Sequence, residues 1–173
     1  MLVRRLGLVR AGFALAALLV GDHRIPDLPP AGETPAIQQP RDWTTVNVCQ
    51  IVPGEAVARA VAGTLNETRP FQDKVISRCT YLITLKATGK PAGYIVRMQP
   101  ETNFEELKKY TESPLTPVPS LGDGAYIFQD KGDGRFKLRV LKRGDLMFEA
   151  TGDSAESTRK VADVVVAQLW KKT

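Results

Sequence analysis

Covalent or metal chemistry in this chain would have to start from very few side chains. Cys49 and Cys79 are the two cysteines, and His23 is the single histidine. A catalytic thiol needs a neighbouring base, and a metal site needs clustered ligands. His23 sits in a proline-rich stretch, so neither centre can be built from these residues, and serine–histidine hydrolysis fails on the same count. No metal and no cofactor are expected. A small enzyme built on a pair of carboxylates is compatible with the composition, but the acids fall mostly in turns and on exposed helix faces, where solvation explains them. What remains for Cys49 and Cys79 is one disulfide, with a single possible pairing. Closing a loop of that length contributes roughly 3–4 kcal/mol in the chain-entropy model.

A disulfide requires an oxidising compartment, and residues 1–21 read as the address for one. Arg4, Arg5 and Arg10 form a basic region without an acid, Ala11 to Val20 is an apolar run, and the chain turns polar at Asp22. That is the pattern of a bacterial export signal, and it is shorter than the roughly 20 apolar residues of a membrane-spanning helix. Leu19-Val20-Gly21 is the tripeptide that precedes a lipidated cysteine, but Asp22 follows and has no thiol to acylate. Three outcomes stay open: cleavage near Gly21, cleavage a few residues away, or an uncleaved segment that holds the protein at a membrane. Residues 22–41 carry Pro26, Pro29, Pro30, Pro35 and Pro40 and read as an extended linker. The folded part is then a single domain over residues 42–173.

Charge excludes one class of partner. The net charge is +5, but Arg4, Arg5 and Arg10 belong to the leader, and the remainder holds 21 basic against 19 acidic residues. No run of Lys or Arg exceeds two residues, so nucleic acid is not expected as a partner.

The elements follow from periodicity and punctuation. Pro53 to Ala62 reads as a helix with Pro53 in its first turn and Val57 and Val61 inward. Cys79 to Leu85 alternates as a strand with Cys79, Tyr81, Ile83 and Leu85 on one face, and Gly93 to Gln99 follows with Tyr94, Val96 and Met98 in phase. Asn103 to Glu112 reads as a second helix with Phe104, Leu107 and Tyr110 on one side. Pro114, Pro117 and Pro119 interrupt regular structure until three strands, Ala125–Gln129, Arg135–Leu141 and Leu146–Ala150, joined by Gly-containing turns. A last helix starts at an Asp153 cap with Glu156 completing a capping box. Its apolar stripe is Val161, Val164, Val165 and Leu169, and Lys171-Lys172 suit its negative end. The expected fold is α+β, in the order α-β-β-α-β-β-β-α: an antiparallel sheet of about five strands with the helices on one face.

Three segments look like ligand loops and read better as turns. Asp130-Lys131-Gly132-Asp133-Gly134 lacks side-chain oxygens at the third and fifth positions of a calcium loop. Gly122-Asp123-Gly124 precedes a strand rather than a helix and so is not a phosphate loop. Asn66-Glu67-Thr68 matches a glycosylation sequon, which carries little weight behind a bacterial leader.

Cys49-Gln50-Ile51-Val52-Pro53-Gly54-Glu55-Ala56-Val57, the later Cys79-Thr80-Tyr81, and Val118 with Leu121-Gly122-Asp123-Gly124-Ala125-Tyr126 together resemble the bacterial exported DUF3558-like domains. The resemblance covers Val48 to Leu169. It implies a PsbP-like or related α+β fold without known catalytic residues. Many such proteins look like lipoproteins, and Asp22 departs from that pattern.

One asymmetry is left for binding. If Phe136, Leu138 and Val140 face the helices, then Lys137 and Arg139 face away, and Arg97 does the same on its own strand. These three are the candidate ligand face, receiving an anionic group of an envelope protein, polymer or lipid, or else a merely solvated surface. On this reading their replacement by Ser changes stability by no more than about 0.5 kcal/mol. The expected function is a non-catalytic exported binding or interaction module, periplasmic or extracellular. The alternative is a membrane-tethered accessory subunit, with membrane contact only through an uncleaved leader.

Overall fold

Period-two alternation builds the sheet, and its clearest instance is the strand that carries Cys79. The computed structural model describes residues 46–170, so the leader, the linker and Lys171-Lys172 lie outside the described residues. Within them, β1 (Gly63–Gln72), β2 (Ser77–Leu85), β3 (Pro91–Gln99), β4 (Thr116–Pro117), β5 (Gly124–Gln129), β6 (Phe136–Lys142) and β7 (Leu146–Gly152) form one antiparallel sheet. Its spatial order is β1-β2-β3-β7-β6-β5-β4. Two meanders, β1 to β3 and β4 to β7, join where β3 pairs with β7.

Three of the four described helices, α1 (Val48–Ile51), α2 (Gly54–Ala60) and α4 (Ala155–Leu169), cover one face. Val57, Val61, Val161 and Val165 meet Tyr81, Ile83, Tyr94, Val96, Leu138, Val140 and Phe148 there. Burying each of these side chains contributes about 1.5–3 kcal/mol before entropy is counted. The disulfide is formed: Cys49 on α1 is bonded to Cys79 on β2, with the Cα atoms 5.1 Å apart. Tyr81 reaches the same segment by donating its hydroxyl to the carbonyl of Val52 at 2.9 Å, and burial pushes its pKa far up.

The fold departs from expectation in five places. The first concerns the sheet, which has seven strands rather than about five. β1 carries almost no inward pattern because it is an edge: most of its side chains are exposed, it contains Pro70, and a bulge shifts its register between Leu65 and Glu67. An edge strand needs only one row of backbone bonds, so periodicity hardly marks it. The other edge, β4, is two residues long and lies in the proline-rich segment taken for irregular chain.

The second departure decides the site. The helices are not all on one face. α3 (Asn103–Lys109) covers the opposite side, where Phe104 packs with Tyr126, Phe128 and Met147 in a second apolar cluster. The Phe104 and Tyr126 ring centroids are 5.1 Å apart. With both faces covered in its region, β7 is buried at every position.

The other three are local. Tyr110 lies just beyond the end of α3 and is exposed rather than sharing the packed side of Phe104. Pro53 is the N-cap of α2 rather than part of its first turn. Ser154, not Asp153, caps α4, and Ser157 closes the capping box instead of Glu156, which pairs with Lys160 at 2.6 Å. Ser is a strong N-cap because its hydroxyl reaches the free amides of the first turn. Val161, Val165 and Leu169 are buried as expected, joined by Thr158 and Ala162, while Val164 sits at the margin.

Candidate functional site

Arg97, Lys137 and Arg139 all project away from α2 and α4, as their alternation requires. Their surroundings then diverge, because α3 covers only part of that second face.

Arg139 is 9% exposed. Its Nε donates to Glu149 Oε2 at 2.7 Å, and its Nη1 donates to Leu107 O at 3.2 Å, Thr111 Oγ1 at 2.9 Å and Tyr126 Oη at 3.1 Å. The guanidinium lies 4.8 Å from the Phe128 ring centroid. Burial opposes its charge, but the Glu149 carboxylate and the Tyr126 hydroxyl outweigh burial and raise its pKa. Arg139 therefore pins the end of α3 to the sheet. It does not stand on an open face, though it lines the cleft beside Tyr110–Ser113, and its enclosure removes the ground for expecting a harmless replacement. Lys137 is also spoken for: its Nζ reaches Asp130 at 2.6 Å and Asp133 at 3.5 Å, both in the β5–β6 loop. That ammonium, followed by the Gly132 amide, lowers the Asp130 pKa.

Arg97 is different, and it has a neighbour that sequence reasoning missed. Across the sheet, Phe71, Arg78, Arg97, Glu149, Arg139 and Tyr126 stand in register on successive strands. Arg78 lies directly opposite Arg97, and Glu149 lies on the other side of Arg97. Glu149 Oε2 accepts from Arg139 Nε. Among the described residues the side chain of neither Arg78 nor Arg97 makes a hydrogen bond or salt bridge, and the Nε of each is shut away from water without an acceptor. Arg78 stacks over the Phe71 ring at 4.5 Å. Besides Glu149, the Asp73 carboxylate in the β1–β2 turn feels the fields of both arginines. It accepts from the Val75 and Ile76 amides at 2.8 and 2.7 Å; these bonds chiefly, and the fields of Arg78 and Arg97 less, lower its pKa.

The arrangement is costly. Like charges directly opposite on neighbouring strands repel, and an unsatisfied buried donor costs about 1–3 kcal/mol. An anion placed across both guanidiniums would offset both penalties, and a planar carboxylate or a phosphate matches the guanidinium fork. The signal for Arg78 was present, since it precedes Cys79 and the alternation that turns Cys79 inward turns Arg78 outward. The register that sets it beside Arg97 was not.

Two clefts flank α3. One, of about 250 Å³, lies between Tyr110–Ser113 and the β5–β6 loop and includes Glu112 and Asp130. The other, of about 350 Å³, lies beside Phe104 and includes Glu105 and Asp123. Asp130 and Asp123 are engaged, the latter by the Arg143 amide at 2.9 Å and Lys142 at 3.4 Å. Both have lowered pKa values, the reverse of what a general acid near neutrality needs. Searches against protein-family models, curated proteins and solved structures return no match.

Proposed function

We propose that this chain is an exported, non-catalytic binding module of a bacterial envelope, related to the DUF3558-like domains, which recognises an anionic group through Arg78 and Arg97. The observation that carries the reading is the register-matched pair of arginines with unsatisfied Nε donors on the part of the sheet that α3 leaves open. A buried donor without an acceptor is rare in folded proteins, and an anionic ligand would supply one to each Nε. The Cys49–Cys79 bond supports the oxidising compartment. The candidate face thus moves from Arg97, Lys137 and Arg139 to Arg78 and Arg97.

The test is titration with inorganic polyphosphate and with polygalacturonate, followed through the Arg side-chain Nε–H resonances. Binding should shift the Arg78 and Arg97 signals, weaken with added salt, and vanish in R78S/R97S without loss of thermal stability. If neither polyanion shifts these resonances, the reading is wrong.

A further inference from the structure

We infer that the β1–β2 turn is a docking element for an anionic lipid surface. This rests on the anion reading of Arg78 and Arg97 and adds what the anion is attached to. Among the described residues three large apolar side chains are exposed: Phe71 at 45%, Val75 at 58% and Tyr110 at 76%. Single exposed apolar residues are ordinary. Here two of the three stand at one hairpin tip, four positions apart, with the exposed Lys74 between them and Arg78 and Arg97 immediately behind.

The acids nearby are already engaged. Asp73 turns its carboxylate onto the amides of its own turn, and Glu67 is held by Arg69 through two bonds of 2.8 Å. Lys74, Arg78 and Arg97 therefore outnumber Asp73 at the tip, and Glu149 beside Arg97 is already bonded to Arg139, leaving the tip positive. An apolar point ringed by cations is the pattern that partitions into the headgroup region of an anionic bilayer.

Two alternatives fit less of this surface. A soluble polyanion would satisfy the arginines but gives Phe71 and Val75 nothing to bury against. A protein partner would need roughly 800 Å² per side for a stable interface, and the bulge and Pro70 on β1 resist strand addition along this edge.

The test uses the full chain with phosphatidylcholine vesicles, with and without about 30% phosphatidylglycerol. Sedimentation should show about tenfold stronger partitioning into the anionic vesicles, and V75S, which leaves Phe71 under Arg78, should remove much of that gain while leaving polyphosphate binding at Arg78 and Arg97 intact. Any contribution of the apolar residues 11–20 is common to both proteins and cancels in the comparison. Doxyl-labelled lipid should broaden the amide signals of Lys74 and Val75 before others. V75A, milder still, guards against a folding defect. Equal partitioning of variant and wild type, no preference for anionic vesicles, or no broadening at the tip would each overturn the docking element. Polyphosphate binding surviving in those cases would leave the anion site standing, and its loss in the wild type would remove both.

Discussion

Arg97 and Arg139 lie on the same face and flank the same carboxylate, yet their energetics oppose. Arg139 is enclosed by Glu149, Tyr126 and the end of α3. Arg139→Ala leaves Glu149 buried without its partner and should cost about 3–5 kcal/mol, read as a fall in the urea midpoint. Replacing both partners by apolar residues, as in R139M/E149L, should cost much less, because no charge is then stranded. Arg78→Ser or Arg97→Ser should leave stability unchanged or raise it, since each relieves repulsion and removes an unsatisfied donor. A large loss in R97S would show that Arg97 has a structural partner after all.

At the level of elements, α1 is four residues long and cannot stand alone. It is held by the Cys49–Cys79 bond, by the Asn47 cap on the Cys49 amide and by the Tyr81 hydroxyl. C49S/C79S should lose roughly 3–4 kcal/mol. Amide exchange of residues 48–52 should rise more than that of β6 or β7, and uniform exchange would argue that the bond acts only through the unfolded chain. The turn into β5 depends on backbone rather than on side chains. Gly122 has φ +57°, and a Cβ there would stand 2.3 Å from the carbonyl oxygen of Leu141. Gly122→Ala should therefore cost about 1–3 kcal/mol by thermal unfolding, with the β5–β6 pairing the first to loosen.

For the molecule as a whole, acid is the informative stress. Asp73, Asp123 and Asp130 sit in three different turns, and all have lowered pKa values. Turn amides dominate for Asp73, the Arg143 amide for Asp123 and the Lys137 ammonium for Asp130. A carboxyl with a folded pKa below its unfolded value contributes stability in full above the unfolded value, about 3.9 for Asp, and loses it as pH falls through the folded one. Thermal midpoints should be flat on this account from pH 7 to about 5 and fall below about 4. D130N should blunt that fall, and an unchanged acid profile would show that the Asp130 turn is not coupled to folding.

Local chemistry was enough for the parts of this protein that depend on one segment at a time. Period-two alternation put Cys79, Tyr81, Ile83, Tyr94, Val96, Leu138 and Val140 inward, and cysteine count alone paired Cys49 with Cys79. The same alternation turned Arg97, Lys137 and Arg139 to the far face. What it could not contain was distance between segments. Whether an outward residue is exposed depends on which helix crosses it, and α3 crosses Arg139 but not Arg97. Whether two arginines meet depends on strand register, which set Arg78 opposite Arg97. The edge strands β1 and β4 were illegible for the same reason: their backbone bonds to β2 and β5 hold them, and backbone pairing leaves little trace in side-chain pattern.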